Sequence, residues 1–241
     1  MKLAISKAEI ETELAHRFGS AFKLRERPVA EVMSTGVPEV DRIASGFPRG
    51  AITEILGPAS SGRTSLLHSA LAASTTRQEV CALVDASDTF DATSAAHAGA
   101  DFDQLLWIRC GSNVGHAIKA TDLLLQSGGF GLVALDLGDV PSNQSRRVQL
   151  SWWFRFKRAV EDTPTALIVI SRDPNARSCA SLVLGLNRES AEWSRPSISS
   201  GPDERVPTCS NLLDGFRLHV ERCKPVCLDE REARFEARAS Y

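Results

Sequence analysis

Gly57 and Gly62 stand five positions apart and are followed by Arg63, Thr64 and Ser65. Glycine, four residues, glycine, a cation and a hydroxyl is the spacing of a phosphate-binding loop, whose template carries lysine where this chain has Arg63. A phosphate chain needs several backbone N–H groups converging on it, and glycines let the backbone wrap that tightly. The residues expected to hold a nucleotide are Gly57, Ser60, Ser61, Gly62, Arg63, Thr64 and Ser65. Thr64 is placed to bring a hydroxyl to Mg²⁺, so ATP and Mg²⁺ are the expected cofactors. Arginine is not an interchangeable lysine here, because a planar guanidinium is bulkier than an ammonium beside a terminal phosphate.

Two acids belong to the same reading. Asp85 and Asp136 close the apolar runs Glu79–Asp85 and Gly131–Asp136. Ligands of open parallel sheets sit at the carboxyl ends of the strands, so both acids are expected to face the loop's rim. Asp136 would hold a water on Mg²⁺ opposite Thr64; the plainer alternative is an Asp capping its own turn. Hydrolysis also requires a group that orients or deprotonates water. After Asp85 the chain reads Ala86-Ser87-Asp88, with no glutamate.

These residues need a framework to position them. The loop requires a strand before it, Ala51–Leu56, and a helix after it, Thr64–Ser74. Further apolar runs at Leu105–Arg109, Thr165–Ile170 and Ala180–Leu186 read as strands. Helical spacing covers Asp91–Ala98, Val114–Gln126 with Asn113 as cap, and Ser145–Glu161. Strands alternating with helices predict an α/β fold with a mainly parallel central sheet flanked by helices. Phe216–Arg222 alternates apolar and polar residues, an expected edge strand. Ser190–Ser210 is rich in Ser, Pro and Gly and reads as a loop. The expected organisation is a short N-terminal helix (Ser6–Phe18) and linker over 1–33, a core over 34–228 and a charged tail over 229–241, helical or disordered. The N-terminal helix either packs on its own domain or joins protomers.

The 241 residues are 43% hydrophobic with a formal net charge of −2, so no global positive field draws the chain onto nucleic acid. No leader and no membrane-length apolar run is visible. Six scattered cysteines do not form a disulfide framework, which points to a reducing cytoplasm.

Ser34-Thr35-Gly36, Pro48-Arg49-Gly50-Ala51-Ile52-Thr53-Glu54-Ile55, Gly57-Pro58-Ala59-Ser60-Ser61-Gly62, and Asp85-Ala86 with Asp91 together resemble the bacterial RecA recombinase core. More closely, the chain looks like the small RecA-like accessory proteins called ImuA. The resemblance implies a RecA-like P-loop NTPase core and a role in SOS-induced translesion synthesis and DNA repair. It implies RecA or a Y-family polymerase-like subunit of a mutasome as partner. It also implies a cytoplasmic, nucleoid-associated location, and Asp91 as the acid beside adenine. The family's catalytic glutamate falls on Ser87, its Asn-Gln pair on Ser171-Arg172, and its adenine-stacking tyrosine on Ser94. What these departures imply is an adaptor with a degenerate ATP loop and little or no hydrolysis. The alternative is an active DNA-dependent ATPase that remodels RecA filaments or takes part in homologous recombination.

One stretch stands apart from the nucleotide site. Arg146-Arg147 and Trp152-Trp153-Phe154-Arg155-Phe156-Lys157-Arg158 interleave rings and cations. Leu150, Trp153, Phe154 and Val160 read as the core stripe, with Trp152 and Phe156 beside it as a partner surface. Single-stranded DNA is the other reading of the same pattern.

Overall fold

The computed structural model describes residues 31–194, 213–226 and 230–238. The helix expected over Ser6–Phe18 lies outside them.

A short antiparallel pair, β1 (Val32–Met33) and β2 (Phe47–Pro48), frames α1 (Pro38–Ala44), which starts on a proline. Proline lacks only an N–H that a helix start leaves unbonded anyway. Then come β3 (Ala51–Leu56), α2 (Arg63–Thr76), β4 (Cys81–Asp85), α3 (Ala92–His97), β5 (Leu105–Arg109), α4 (Val114–Ser127) and β6 (Leu132–Asp136). The chain continues with a single turn, α5 (Ser142–Ser145), then α6 (Leu150–Val160) and β7 (Ala166–Ser171). It ends in three long strands, β8 (Ala180–Trp193), β9 (Leu213–Lys224) and β10 (Glu232–Arg238). α4 begins where the Asn113 side chain accepts the His116 N–H at 3.1 Å. It ends at Gly128, whose φ of 68° a side chain would resist.

Among the described residues, eight strands form one sheet in the order β10-β9-β8-β3-β7-β6-β4-β5. The ladders from β8 through β3, β7, β6 and β4 to β5 are parallel, and β9 and β10 are added antiparallel. The central strands are buried on both faces, which explains their unbroken apolar runs. In β6, Leu132 and Ala134 join the cluster that holds Leu66, Leu67 and Leu71 of α2. Val133 and Leu135 point the other way, into the cluster of Ile118 and Leu125 of α4 with Trp153, Phe156 and Val160 of α6. Register then lines up the carboxyl ends: Leu56 pairs with Ser171, and Asp85 pairs with both Asp136 and Arg109. The mainly parallel, helix-covered sheet is the fold expected from the alternation of strands and helices.

Several local readings are corrected. Within the expected tail, Glu232–Arg238 is neither helix nor disorder but strand β10, paired with β9 from Glu232 opposite Glu221 to Arg238 opposite Gly215. Glu-Ala-Arg-Phe-Glu-Ala-Arg alternates with a period of two, and Ala233 and Phe235 are buried on the core side. β9 is consequently interior rather than an edge. β8 runs on to Trp193, through residues read as loop. The helix expected over Ser145–Glu161 is interrupted at Gln149, whose backbone is extended, so α6 starts only at Leu150.

Candidate functional site

The loop between β3 and α2 is built as its spacing predicts. Ser60 (φ 58°) and Gly62 (φ 88°) both take left-handed backbone. A Cβ on Gly57 would lie 2.4 Å from the Leu186 carbonyl oxygen, and one on Gly62 would lie 2.3 Å from a Leu218 methyl. The β8 backbone therefore leaves room for glycine alone at position 57, while at position 62 the left-handed backbone is what calls for glycine. The N-terminus of the 14-residue α2 has no side-chain cap. Its first-turn amides have no partner within the helix, and the positive end of its dipole lies there too. The Ser61 hydroxyl is buried with no hydrogen-bond partner. An orphaned buried hydroxyl beside an uncapped helix start fits an anion supplied from outside, and phosphate is the anion that such loops take. Ser60 and Thr64 are exposed, while Gly57 and Ser65 are half-buried.

Arg63 turns elsewhere. It is buried, and both of its terminal nitrogens donate to the Gly138 carbonyl at 3.3 Å. Burial holds its guanidinium below the usual arginine range, against the attraction of Asp136 and Asp139. Asp136 accepts the Gly138 N–H at 2.7 Å. Burial pushes its carboxyl up to about 6, opposed by that hydrogen bond and by Arg63, and reinforced by Asp85 and Asp139. Gly138 is thus held by both side chains. A Cβ there would lie 2.9 Å from an Asp136 oxygen and 3.5 Å from the Arg63 guanidinium carbon.

Asp85, expected to face the loop's rim, is instead turned into its own chain. One oxygen accepts the N–H groups of Ser87 and Thr89 at 3.2 Å, and the other accepts that of Phe90 at 2.9 Å. Sheet register places Asp85 beside Asp136, but the tight turn after β4 captures its carboxylate. Asp88 is occupied as well: it accepts the Gly111 N–H at 3.1 Å and faces Arg109 at 3.5 Å.

Asp91 caps α3, accepting the N–H groups of Thr93 and Ser94 and the Ser94 hydroxyl at 2.5 Å. The Ser94 hydroxyl, first among these, holds its carboxyl below the usual carboxylate range. A cavity of about 940 Å³ opens between α2, α3 and β10. Thr64, Ser65, His68 and Ser94 line one wall, and Arg234 and Arg238 stand on the other. The cavity is continuous with the helix start at Thr64 and has room for a nucleoside. Burial pushes the His68 imidazole below its usual range, opposed by Asp91, and its Nε2 has no hydrogen-bond partner.

Glu54, which motif reading did not single out, braces the strand that leads into the loop. It is 1% exposed in the middle of β3, and one of its oxygens accepts the Asn175 and Ala176 N–H groups at 2.7 Å each. The strand leading into the phosphate loop is thereby fixed to the loop after β7. The available signal was a lone acid inside the run Ala51-Ile52-Thr53-Glu54-Ile55-Leu56.

The partner surface placed on Trp152 and Phe156 needs correction. Phe156 is fully buried, packed edge-on against Trp153 with ring centroids 5.7 Å apart. Trp153, Phe156 and Val160, at spacings of three and four, form the true core stripe, and Phe154 and Leu150 face outward. Trp152 is half-buried, with the Arg155 guanidinium 5.7 Å from its ring centre.

Residues 2–141 match the RecA N-terminal domain. Similar curated proteins are Protein RecA of Rickettsia canadensis and of Rickettsia prowazekii, each 34% identical over 137 residues, and Protein RecA of Borrelia hermsii, 34% identical over 138. These matches cover 55% of this chain and 40%, 40% and 38% of the relatives, so the chain matches about two-fifths of their length.

Proposed function

The chain belongs to the RecA N-terminal domain family, and we propose that it acts as a RecA-like accessory protein of SOS-induced translesion synthesis and DNA repair, of the ImuA type. In this reading it holds a nucleotide without turning it over at any useful rate. It works as an adaptor between RecA or a Y-family polymerase-like subunit and the error-prone polymerase, in the cytoplasm. Among the described residues no helix is long and apolar enough to cross a membrane.

The observation that carries the proposal is the turn after β4. Ser87 stands where the family has its catalytic glutamate, and the neighbouring acids are engaged: Asp85 by three backbone N–H groups, Asp88 by Gly111 and Arg109. A serine hydroxyl is no base at neutral pH. Gly57, Ser60, Ser61, Gly62 and the amides of Arg63, Thr64 and Ser65 would hold the phosphates. The Thr64 hydroxyl and Asp136 would lie on the side of Mg²⁺, which when bound neutralises phosphate charge. Arg63 would have to leave the Gly138 carbonyl to reach a phosphate, a cost that lysine in the family template does not meet in this form.

One observation favours the second reading, an ATPase acting on RecA filaments. Asp136, unlike Asp85, stays beside Arg63 at the loop, its carboxyl raised by burial to about 6. A phosphate-release assay with single-stranded DNA separates the two. The adaptor reading expects a rate at least a hundredfold below a RecA control; turnover comparable to that control ends it.

A further inference from the structure

The outer face of α6 is the surface that neither the sheet nor the nucleotide cavity uses. Leu150 (43% exposed) and Phe154 (52% exposed) lie one helical turn apart on it, to one side of the buried stripe of Trp153, Phe156 and Val160. Single exposed apolar residues are ordinary. These two stand together, and Leu150 also lines a groove of about 260 Å³ between the start of α6 and the loop after β7. Arg146, Arg147, Pro174, Asn175 and Arg177 are among the other residues of that groove.

Charge gives the face its character. Arg147, Lys157, Arg158 and Arg177 take part in no ion pair among the described residues. The neighbouring acids Asp173 and Asp122 are already paired, with Arg146 at 3.1 Å and Arg155 at 2.5 Å; Glu161 follows at the end of the helix. The chain's net charge is −2, so this basic rim is a local departure from its average.

We infer that this face docks an acidic amphipathic segment of another protein. An aromatic or leucine anchor would seat on Leu150 and Phe154, with flanking Asp or Glu residues against Arg147, Arg158 and Arg177. The inference takes its biological use from the adaptor reading and gives that reading a place and a partner chemistry. Single-stranded nucleic acid fits less well, because it needs successive rings on which bases stack. Here Phe156 and Trp153 are buried and Arg155 lies against Trp152, which leaves Phe154 as the freely exposed ring of the helix.

The test is display selection of random 16-residue peptides on the 241-residue chain, followed by fluorescence anisotropy with the best binder. The selected peptides should carry Asp or Glu around Trp, Phe or Leu. Phe154→Ser and Leu150→Ser should each weaken binding at least tenfold with circular dichroism unchanged. Arg147→Glu and Arg158→Glu should act mainly on association rate and flatten its salt dependence. Peptides without acidic bias, or equal binding by Phe154→Ser, would overturn the inference. So would a labelled dT20 that binds through Phe154 and displaces the peptide. A chain that hydrolyses ATP briskly yet binds acidic peptides through Phe154 would remove the adaptor reading and support this surface.

Discussion

Asp136 and Arg63 meet at one buried glycine beside the loop. The guanidinium reaches across to Gly138, and Asp136 holds the same glycine by its N–H, so three residues share one buried knot. The carboxyl is raised by burial to about 6 from 3.8. A folded-state value above the unfolded one means that the folded protein binds the proton more tightly. Stability from this group is then fully present below about pH 4 and lost as pH rises through about 6. About two pKa units correspond to roughly 3 kcal/mol at 1.36 kcal/mol per unit, as an order of magnitude. Asp136→Asn should therefore raise the melting temperature of the nucleotide-free protein at pH 7.5. It should also flatten the fall in stability between pH 4 and 6. Scanning calorimetry across that range checks both, and an unchanged pH profile would show that Asp136 is not the titrating group.

At the scale of elements, α6 decides which of its rings are core and which are surface. Burying a phenylalanine fully removes an aromatic area from water that its truncation exposes again as a cavity, at about 3–5 kcal/mol. Phe156→Ala should cost that much, whereas Phe154→Ser should change stability by about 0.5 kcal/mol or less. Urea denaturation of the two proteins distinguishes them, and equal losses would contradict the assignment of faces. Glu54 works across elements in the same manner: a single buried oxygen ties β3 to the loop after β7 through two backbone N–H groups. The phosphate loop and that neighbouring loop are consequently braced on one strand.

Over the whole molecule, β10 closes one side of the sheet and forms one wall of the cavity beside α2 and α3. Phe235 is 7% exposed and packs in the cluster that includes Leu218 and Val220 of β9, and Leu218 in turn rests against Gly62 of the phosphate loop. Removing β10 by ending the chain at Pro225 should expose the β9 edge and make the protein self-associate. Phe235→Ala alone should cost about 3 kcal/mol. Size-exclusion chromatography and urea midpoints test the two. A monomeric, equally stable truncated chain would mean that the last strand carries no part of the core.

Sequence alone was enough to read the glycine-spaced loop between strand and helix, the parallel strands around it and the absence of a glutamate directly after Asp85. Those features are local: glycine spacing, an apolar run and residue identity need no partner to be read. The same holds for α4, whose Asn113 cap and apolar spacing mark it from end to end. Tertiary structure alone decided that Asp85 turns inward while Asp136 stays beside Arg63. It also decided that Phe156 rather than Phe154 meets the sheet, and that Glu232–Arg238 pairs with β9. Periodicity defines the faces of an element, but which face is buried depends on the neighbour it meets. For α6 and β10, that neighbour is a sheet assembled from segments far apart in the chain.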